Sequence, residues 1–441
     1  MGDSMGKVGL LQFDPTVGDL EQNVHRLSSL ATQAEQAGAT VGISTELAVC
    51  GYPPRDLLME RDFVQRSMEA ALGMRAPLPV LIGTPIPAED DRTLPTNGVV
   101  RSGPDATSIT NDEHGRVVAE KQLLPTYDVF DEARYFAAKN RSGLARSFGG
   151  LTLGVTVCED AWQSAGMTPS SYAQDPIEHI AEWTRQGVDI NATVNLSASP
   201  FHTEKFTTRL AVARHAAAVL NHPFLLANQV GGNDDLLFDG RSLVVWPDGR
   251  AVVAPSWQEG VLVVDLEDAH ACTWVPSQAD DALCIGSSTL MVLESGDDGS
   301  SFVDTIEELT NAVVTGLADY CRKSSIGSIV LGLSGGIDSA VAACVAAEAI
   351  GPENVTGLAM PSRHSSQHSI DDALHTAQAL GMQHHLHPID GMHTSVEATL
   401  VDVLATGHPV AGENLQARLR AIVVMGYANA NGSMAVTTGN K

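Results

Sequence analysis

The chain has 441 residues, 44% of them hydrophobic and 18% charged, a balance that excludes a disordered chain and gives room for two domains with separate cores. Its 26 lysines and arginines face 53 acidic residues, a net charge of −27 that repels nucleic-acid phosphates and anionic lipid and so excludes both as partners.

From Lys7 to about Val264 short apolar runs alternate with amphipathic stretches. "KVGLLQF" reads as a strand, and Leu20, Val24, Leu27, Leu30 and Ala34 then share one helical face. "TVGIS" is a second strand, ending just before Glu46. Further strands are "VLIGTPI", a pair around the turn "DEHG", "LTLGVTVC", "DINATVNL", "PFLLANQV" and a hairpin at "WPDG". This mixture predicts an α/β layer fold with a mixed sheet. The acidic, Gly/Ser-rich "ESGDDGSS" marks a linker. Beyond it Phe302, Ile306, Leu309, Val313, Leu317 and Tyr320 fall at helical spacing. "SIVLGLSGGIDSAVAACVAAEAI" then predicts a strand, a glycine turn and a long helix, and "NVTGLAMPS" and "HHLHPID" continue the alternation of a parallel doubly wound sheet.

The six cysteines form no CxxC pair, which argues against zinc and against a disulfide framework. No segment reads as a signal peptide or a membrane span, so a soluble protein of a reducing compartment, the cytoplasm, is expected. Seven of the fifteen histidines lie between His364 and His393, and "HSSQH" has i, i+4 spacing. No HExxH follows, so neither a dedicated metal site nor haem is expected there.

"LGLSGGIDSA" carries the most specific chemistry. Gly335 and Gly336 permit a turn tight enough for backbone N–H groups to face an anion, and the helix from Ile337 aims its positive end at the same place. Ser334 and Ser339 can donate to phosphate, and Asp338 can hold magnesium. The loop resembles the pyrophosphatase-type ATP-binding loop of enzymes that cleave ATP between the α- and β-phosphates; by itself it leaves the acceptor open.

In the first half, three residues end apolar β-like runs: Glu46, Lys121 and Cys158. Cys158 alone reads as core, and Glu159 and Asp160 beside it would raise a thiol pKa. Together the three can act as base, oxyanion partner and nucleophile, and Lys121 is expected to offset the neighbouring acids and favour thiolate. Only six lysines occur in the chain, so one at such a position carries weight.

These segments and their order resemble the nitrilase superfamily of amidases. "GYPPRDLL", "LLPTYDVFDEARYF" and "NLSASPFHTEK" look like the glutaminase domain of glutamine-dependent NAD synthetases. "LGLSGGIDSA", "MPSRHSSQHS" and "ENLQARLR" look like the synthetase domain of the same family. The resemblance implies an αββα sandwich over residues 1–270, a linker over 271–300 and an ATP-binding domain from 301 to 441. It implies a Glu46–Lys121–Cys158 triad supported by Glu132, with Tyr52, Tyr127, Ser199 and Lys205 around glutamine. ATP would lie on Gly332, Leu333, Ser334, Gly335, Gly336, Ile337, Asp338 and Ser339, beside residues 360–366 and Thr438, with Mg2+ on Asp338. Asn414 and Arg418 match positions that contact deamido-NAD. A homo-oligomer with an enclosed ammonia route is also implied, with small-molecule substrates and no nucleic-acid or membrane partner. The family pattern continues past Lys441 into a phosphate- and metal-binding stretch, so the resemblance implies that this chain holds the whole glutaminase half and part of the synthetase half.

Overall fold

The computed structural model describes residues 6–90, 92–104, 116–139, 143–169, 171–300, 305–406 and 410–438. The "DEHG" turn, Phe302 and Lys441 lie outside them. The chain divides into two compact units, Met1–Ala312 and Val313–Lys441.

The first unit opens with β1 (Lys7–Gln12), α1 (Leu20–Gln36), β2 (Ala39–Ile43), α2 (Arg61–Gly73), β3 (Val80–Ile86), β4 (Thr96–Ser102) and β5 (Val117–Glu120). It continues with α3 (Glu132–Tyr135), β6 (Gly143–Phe148), β7 (Leu151–Val157), α4 (Pro176–Arg185), β8 (Ala192–Ser197), α5 (Lys205–Leu220) and β9 (Phe224–Asn228). Shorter strands close it: β10 (Val230–Asn233), β11 (Leu236–Asp239), β12 (Leu243–Val245), β13 (Ala251–Val253), β14 (Gly260–Val264), β15 (Thr273–Pro276) and β16 (Met291–Leu293). Helix α6 (Thr305–Lys323) begins in this unit.

Two seven-stranded sheets result, ordered β15-β14-β1-β2-β3-β4-β5 and β16-β13-β12-β9-β8-β7-β6. Period-2 alternation sorts their side chains. Val8, Leu10, Val41 and Ile43 of one sheet meet Leu153, Val155, Val194 and Leu225 of the other in a shared core. The opposite faces are apolar too: Leu11, Val80 and Val261 pack on Leu27, Leu30 and Met68 of α1 and α2. Phe224, Leu226 and Val245 pack on Ile177, Ile180, Leu210 and Ala213 of α4 and α5. Burial on both faces is why these strands read as continuous apolar runs rather than alternating ones. The arrangement is the expected αββα sandwich.

Residues 271–300 do not serve simply as a linker. β15 pairs antiparallel with β14 and β16 with β13, so this segment completes one edge of each sheet. Both strands are short and half exposed, and their polar flanks hid them in the sequence.

In the second unit β17 (Ile329–Gly332), α7 (Ile337–Ile350), β18 (Val355–Ala359), α8 (Gln367–Leu380) and β19 (Gln383–Leu386) alternate as the pattern predicts. Three helices follow, α9 (Asp390–Thr399), α10 (Val401–Thr406) and α11 (Val410–Asn431), then β20 (Met434–Val436). The sheet order β19-β18-β17-β20 is parallel throughout. Its order reverses beside β17, and an open parallel sheet binds ligands at the carboxyl ends of its strands at such a point. No helix among the described residues is long and apolar enough to cross a membrane.

Candidate active site

Strands β2 and β5 of one sheet, and β7 and β8 of the other, deliver their C-terminal ends to one buried spot. Lys121, the residue after β5, sits between two carboxylates: its Nζ lies 2.7 Å from Glu46 Oε1 and 2.7 Å from Glu132 Oε1, all three side chains being buried. Glu46 is fixed further by Asn97 Nδ2 at 2.7 Å and by the Ala198 N–H at 3.0 Å. The Tyr52 hydroxyl donates to Glu132 Oε1 at 2.9 Å. Tyr52, expected to lie at the glutamine pocket, thus also holds this carboxylate.

Burial by itself lowers the Lys121 pKa, but the charges of Glu132 and Glu46 outweigh it and hold the ammonium well above its usual range. Burial, with Glu46 adding to it against the pull of Lys121, raises Glu132 to about 7. Glu132 therefore titrates near neutrality.

Cys158 opens a 3-10 turn (Cys158–Ala161) at the end of β7, with φ of +44°. A non-glycine residue in this region costs about 1–3 kcal/mol and persists where surrounding contacts impose it. Asp160 imposes it here: Oδ2 accepts the Val157 N–H at 3.1 Å, while Oδ1 accepts the Gln122 and Leu123 N–H groups at 3.0 Å each. The acid that seemed to discourage a reactive thiol thus ties the Cys158 turn to the residues after Lys121. Leu47 after Glu46 and Glu204 before Lys205 also have positive φ, at +46° and +68°. None of the three is glycine, so no turn residue marks these positions in the sequence.

The expectation of a resting thiolate is corrected. Burial pushes the Cys158 thiol well above its ordinary value and Glu46 adds to the shift; Lys121 opposes both without prevailing. The thiol is protonated at rest, and a base must remove its proton during attack.

Glu159, whose part the sequence did not reveal, faces a second cluster. Tyr127 Oη donates to its Oε1 at 2.9 Å and Tyr172 Oη does so at 3.4 Å. Lys205 Nζ lies 4.3 Å from the centroid of the Trp162 ring. Burial, then the charge of Arg209, pull the Lys205 pKa down, while Glu159 pulls it up. A buried carboxylate and a half-buried ammonium near the nucleophile suit the two charged ends of an amino acid. Ser199 is buried at the end of β8, next to Ala198 whose N–H holds Glu46.

In the second unit a cavity of about 580 Å³ opens over the carboxyl ends of β17 and β18. Gly332, Leu333, Ser334 and Thr438 line it, with Met360, Pro361 and Ser365. Gly335 has φ of +78°, and a Cβ there would fall 2.8 Å from Ser369 Cα, so only glycine fits. Ser339 is buried and donates to Gly336 O at 2.9 Å, while Gly336 N–H donates to Ser334 Oγ at 3.3 Å. Ser339 braces the loop from within. Gly335, Gly336, Ile337 and Asp338 form the turn and first residues of α7 beside the cavity lining. Asp338 is exposed there.

Asn414 and Arg418 do not line this cavity: both are exposed, and Arg418 Nη1 donates to Asn414 O at 3.1 Å. The α11 cation that does line it is Arg420, held by Met360 O at 3.1 Å. Of the "HSSQH" pair, His368 bonds Asp372 at 2.7 Å, and the described residues contain no cluster of three or more metal-ligating side chains.

A pH dependence follows from Glu132. As pH falls through about 7 it takes up a proton and its pull on Lys121 weakens, so the kcat/KM for glutamine should fall on the acid side with an apparent pKa near 7. Glu132→Gln should lack that limb on a plateau lowered about tenfold or more. The folded chain binds this proton between the ordinary carboxylate pKa and 7, and the unfolded chain does not. Wild-type stability relative to Glu132→Gln should therefore decline as pH rises through 7, measured by denaturant titration at pH 6 and 8.

Residues 7–274 match the carbon-nitrogen hydrolase family and residues 309–441 the NAD synthase family. The glutamine-dependent NAD(+) synthetase of Synechocystis sp. is 37% identical over 447 residues, covering 99% of this chain and 74% of the relative; that of Rhodobacter capsulatus is 37% identical, with 99% and 72% covered. A solved glutamine-dependent NAD+ synthetase from Acinetobacter baumannii, in complex with ADP, superposes with a TM-score of 0.81 at 27% identity, over 99% of this chain and 75% of that one. With its nitrilase-type sandwich and its Ser-Gly-Gly-x-Asp-Ser loop, the chain belongs to the glutamine-dependent NAD(+) synthetase family.

Proposed function

We propose that the chain makes NAD+ from deamido-NAD+, with L-glutamine as nitrogen source and ATP as activator. The observation that carries the first half is Lys121 bridging Glu46 and Glu132 beside Cys158. Lys205 takes the glutamine α-carboxylate and Glu159, with Tyr127, its ammonium, leaving the side-chain amide over Cys158; the Ser199 hydroxyl adds a hydrogen bond. Glu46 accepts the thiol proton as Sγ attacks the amide carbon, and Lys121 stabilises the oxyanion. Glu46 returns the proton to the departing nitrogen, ammonia leaves, and a glutamyl thioester remains. Water, deprotonated by Glu46, then releases glutamate.

In the second unit Gly332 to Ser339, Met360 and Thr438 hold ATP. Asp338 would hold the magnesium ion, which neutralises phosphate charge. The nicotinate carboxylate of deamido-NAD+ attacks the α-phosphate and displaces pyrophosphate, while Asn414 and Arg418, outside the cavity lining, contact another part of that substrate. Ammonia attacks the resulting adenylate, giving NAD+ and AMP. Arg420, at the cavity wall, is the cation suited to the nucleotide phosphates.

Six free cysteines accord with a cytoplasmic location. Ammonia lost to water becomes ammonium and is no longer a nucleophile, which favours a homo-oligomer with an enclosed route between sites. The test is product analysis: glutamate from glutamine, and pyrophosphate release that needs deamido-NAD+ and no other carboxylate. Pyrophosphate release with a different acceptor would overturn the substrate assignment.

A further inference from the structure

Four buried charges outside the Glu46–Lys121–Glu132 cluster form a continuous chain. Arg209 on α5 is fully buried; its Nη2 and Nη1 reach Asp239 Oδ1 and Oδ2 at 2.8 and 3.3 Å. Asp239 Oδ2 lies 3.6 Å from Arg241 Nη1. Arg241 makes a two-pronged pair with Glu308 in α6, one arm at 3.0 Å and the other shorter, and its guanidinium lies 4.8 Å from the centroid of the Phe206 ring. Arg241 is left-handed, with φ of +53°.

The far end of this chain grips Ser199. Arg209 Nη2 donates to Ser199 O at 3.4 Å and Asn228 Oδ1 accepts the Ser199 N–H at 2.9 Å. Both clamps anchor on Gly240 O, Arg209 at 3.2 Å and Asn228 at 2.8 Å. The peptide units on both sides of Ser199 are therefore fixed by the segment that carries Asp239 and Arg241.

Stability alone is a poor reason for such a chain. Buried ion pairs lose several kcal/mol per ion in desolvation, and replacing them by well-packed apolar residues is often neutral or stabilising. What charged, forked groups add over apolar packing is direction. We propose that Arg209 is a positioning residue for the glutamine subsite, and that Asp239, Arg241 and Glu308 relay the seating of α6 to Ser199. The proposal rests on Ser199 and Lys205 binding glutamine, as read above.

The test compares wild type, Glu308→Ala, Glu308→Gln and the double variant Arg241→Met/Glu308→Leu, which removes both charges and leaves neither partner of that pair unpaired. Glutamate release gives KM and kcat; alkylation of Cys158 by iodoacetamide, which has no α-carboxylate to bind, reports the nucleophile separately. The expected result is a KM for glutamine raised about tenfold in Glu308→Ala and in the double variant, with kcat and alkylation rate within about threefold of wild type. Glu308→Gln, which keeps an acceptor for Arg241, should fall between. A KM within twofold of wild type in both charge-removing variants overturns the relay, as does a joint fall of kcat and alkylation with unchanged KM. A wild-type chain that releases no glutamate overturns the glutamine reading and this inference with it, so the two failures are distinguishable.

Discussion

Lys121→Met should lower the kcat/KM for glutamine by about 10³-fold or more and destabilise the fold by roughly 3–5 kcal/mol. The side chain is fully buried and is the ammonium shared by Glu46 and Glu132. Methionine keeps most of the volume and removes the charge, leaving two buried carboxyl groups with no cation between them. Glu46 would retain Asn97 and the Ala198 N–H, but Glu132 would retain only Tyr52, its Oε2 having no hydrogen-bond partner. The cost is that of breaking a buried pair, larger than the pair's own contribution to stability. Lys121→Met/Glu132→Gln, with one negative charge fewer, should recover part of the stability and none of the activity. Urea titration and glutamate release measure the two separately. A Lys121→Met enzyme with more than a tenth of wild-type turnover would exclude Lys121 from oxyanion stabilisation.

Gly83→Ala should reduce glutamine turnover about 10²-fold although Gly83 touches no substrate. Gly83 lies in β3, where a Cβ would fall 2.6 Å from Leu47 N and 3.0 Å from Glu46 C, and closer still to Thr45 O. All three are backbone atoms and none can swing aside. The segment bearing Glu46 would have to move, and Leu47 is already held at positive φ. A displacement of an ångström at a general base is enough for a loss of this size. Gly42→Ala, in the neighbouring β2, is the control. Its Cβ would meet side-chain methyls of Leu78 and Val80 at 3.2–3.3 Å, so a stability change of up to about 2 kcal/mol with little change in turnover is expected. Equal activity losses in the two variants would show that Gly83 acts through general stability alone.

The sandwich was legible because its strands are buried on both faces and stand out as apolar runs such as "VLIGTPI" and "LTLGVTVC". β15 and β16 were not, because edge strands bury little and their ladder bonds leave no mark in composition. Glu46, Lys121 and Cys158 were legible as polar residues at the ends of such runs, given a family phrase around each. Asp160 was misread. Sequence proximity showed a charge next to a thiol, whereas the structure places that carboxylate on three backbone N–H groups, two of them 37–38 residues away. Glu159, Asn97 and Gly83 act through contacts with segments distant in sequence, which no local pattern encodes. In α11, Arg418 and Arg420 are two residues apart and so lie on different sides of the helix; spacing alone did not say which faces the cavity.

The central claim is that Cys158 makes ammonia for a separate, ATP-dependent site. Its most direct test is Cys158→Ala, shown to be folded by circular dichroism and assayed for NAD+ with glutamine and, separately, with ammonium chloride. Glutamine-driven synthesis should fall by at least about 10³-fold while ammonium-driven synthesis stays within about twofold of wild type. Loss of both activities in the folded variant, or persistence of both, would contradict the account.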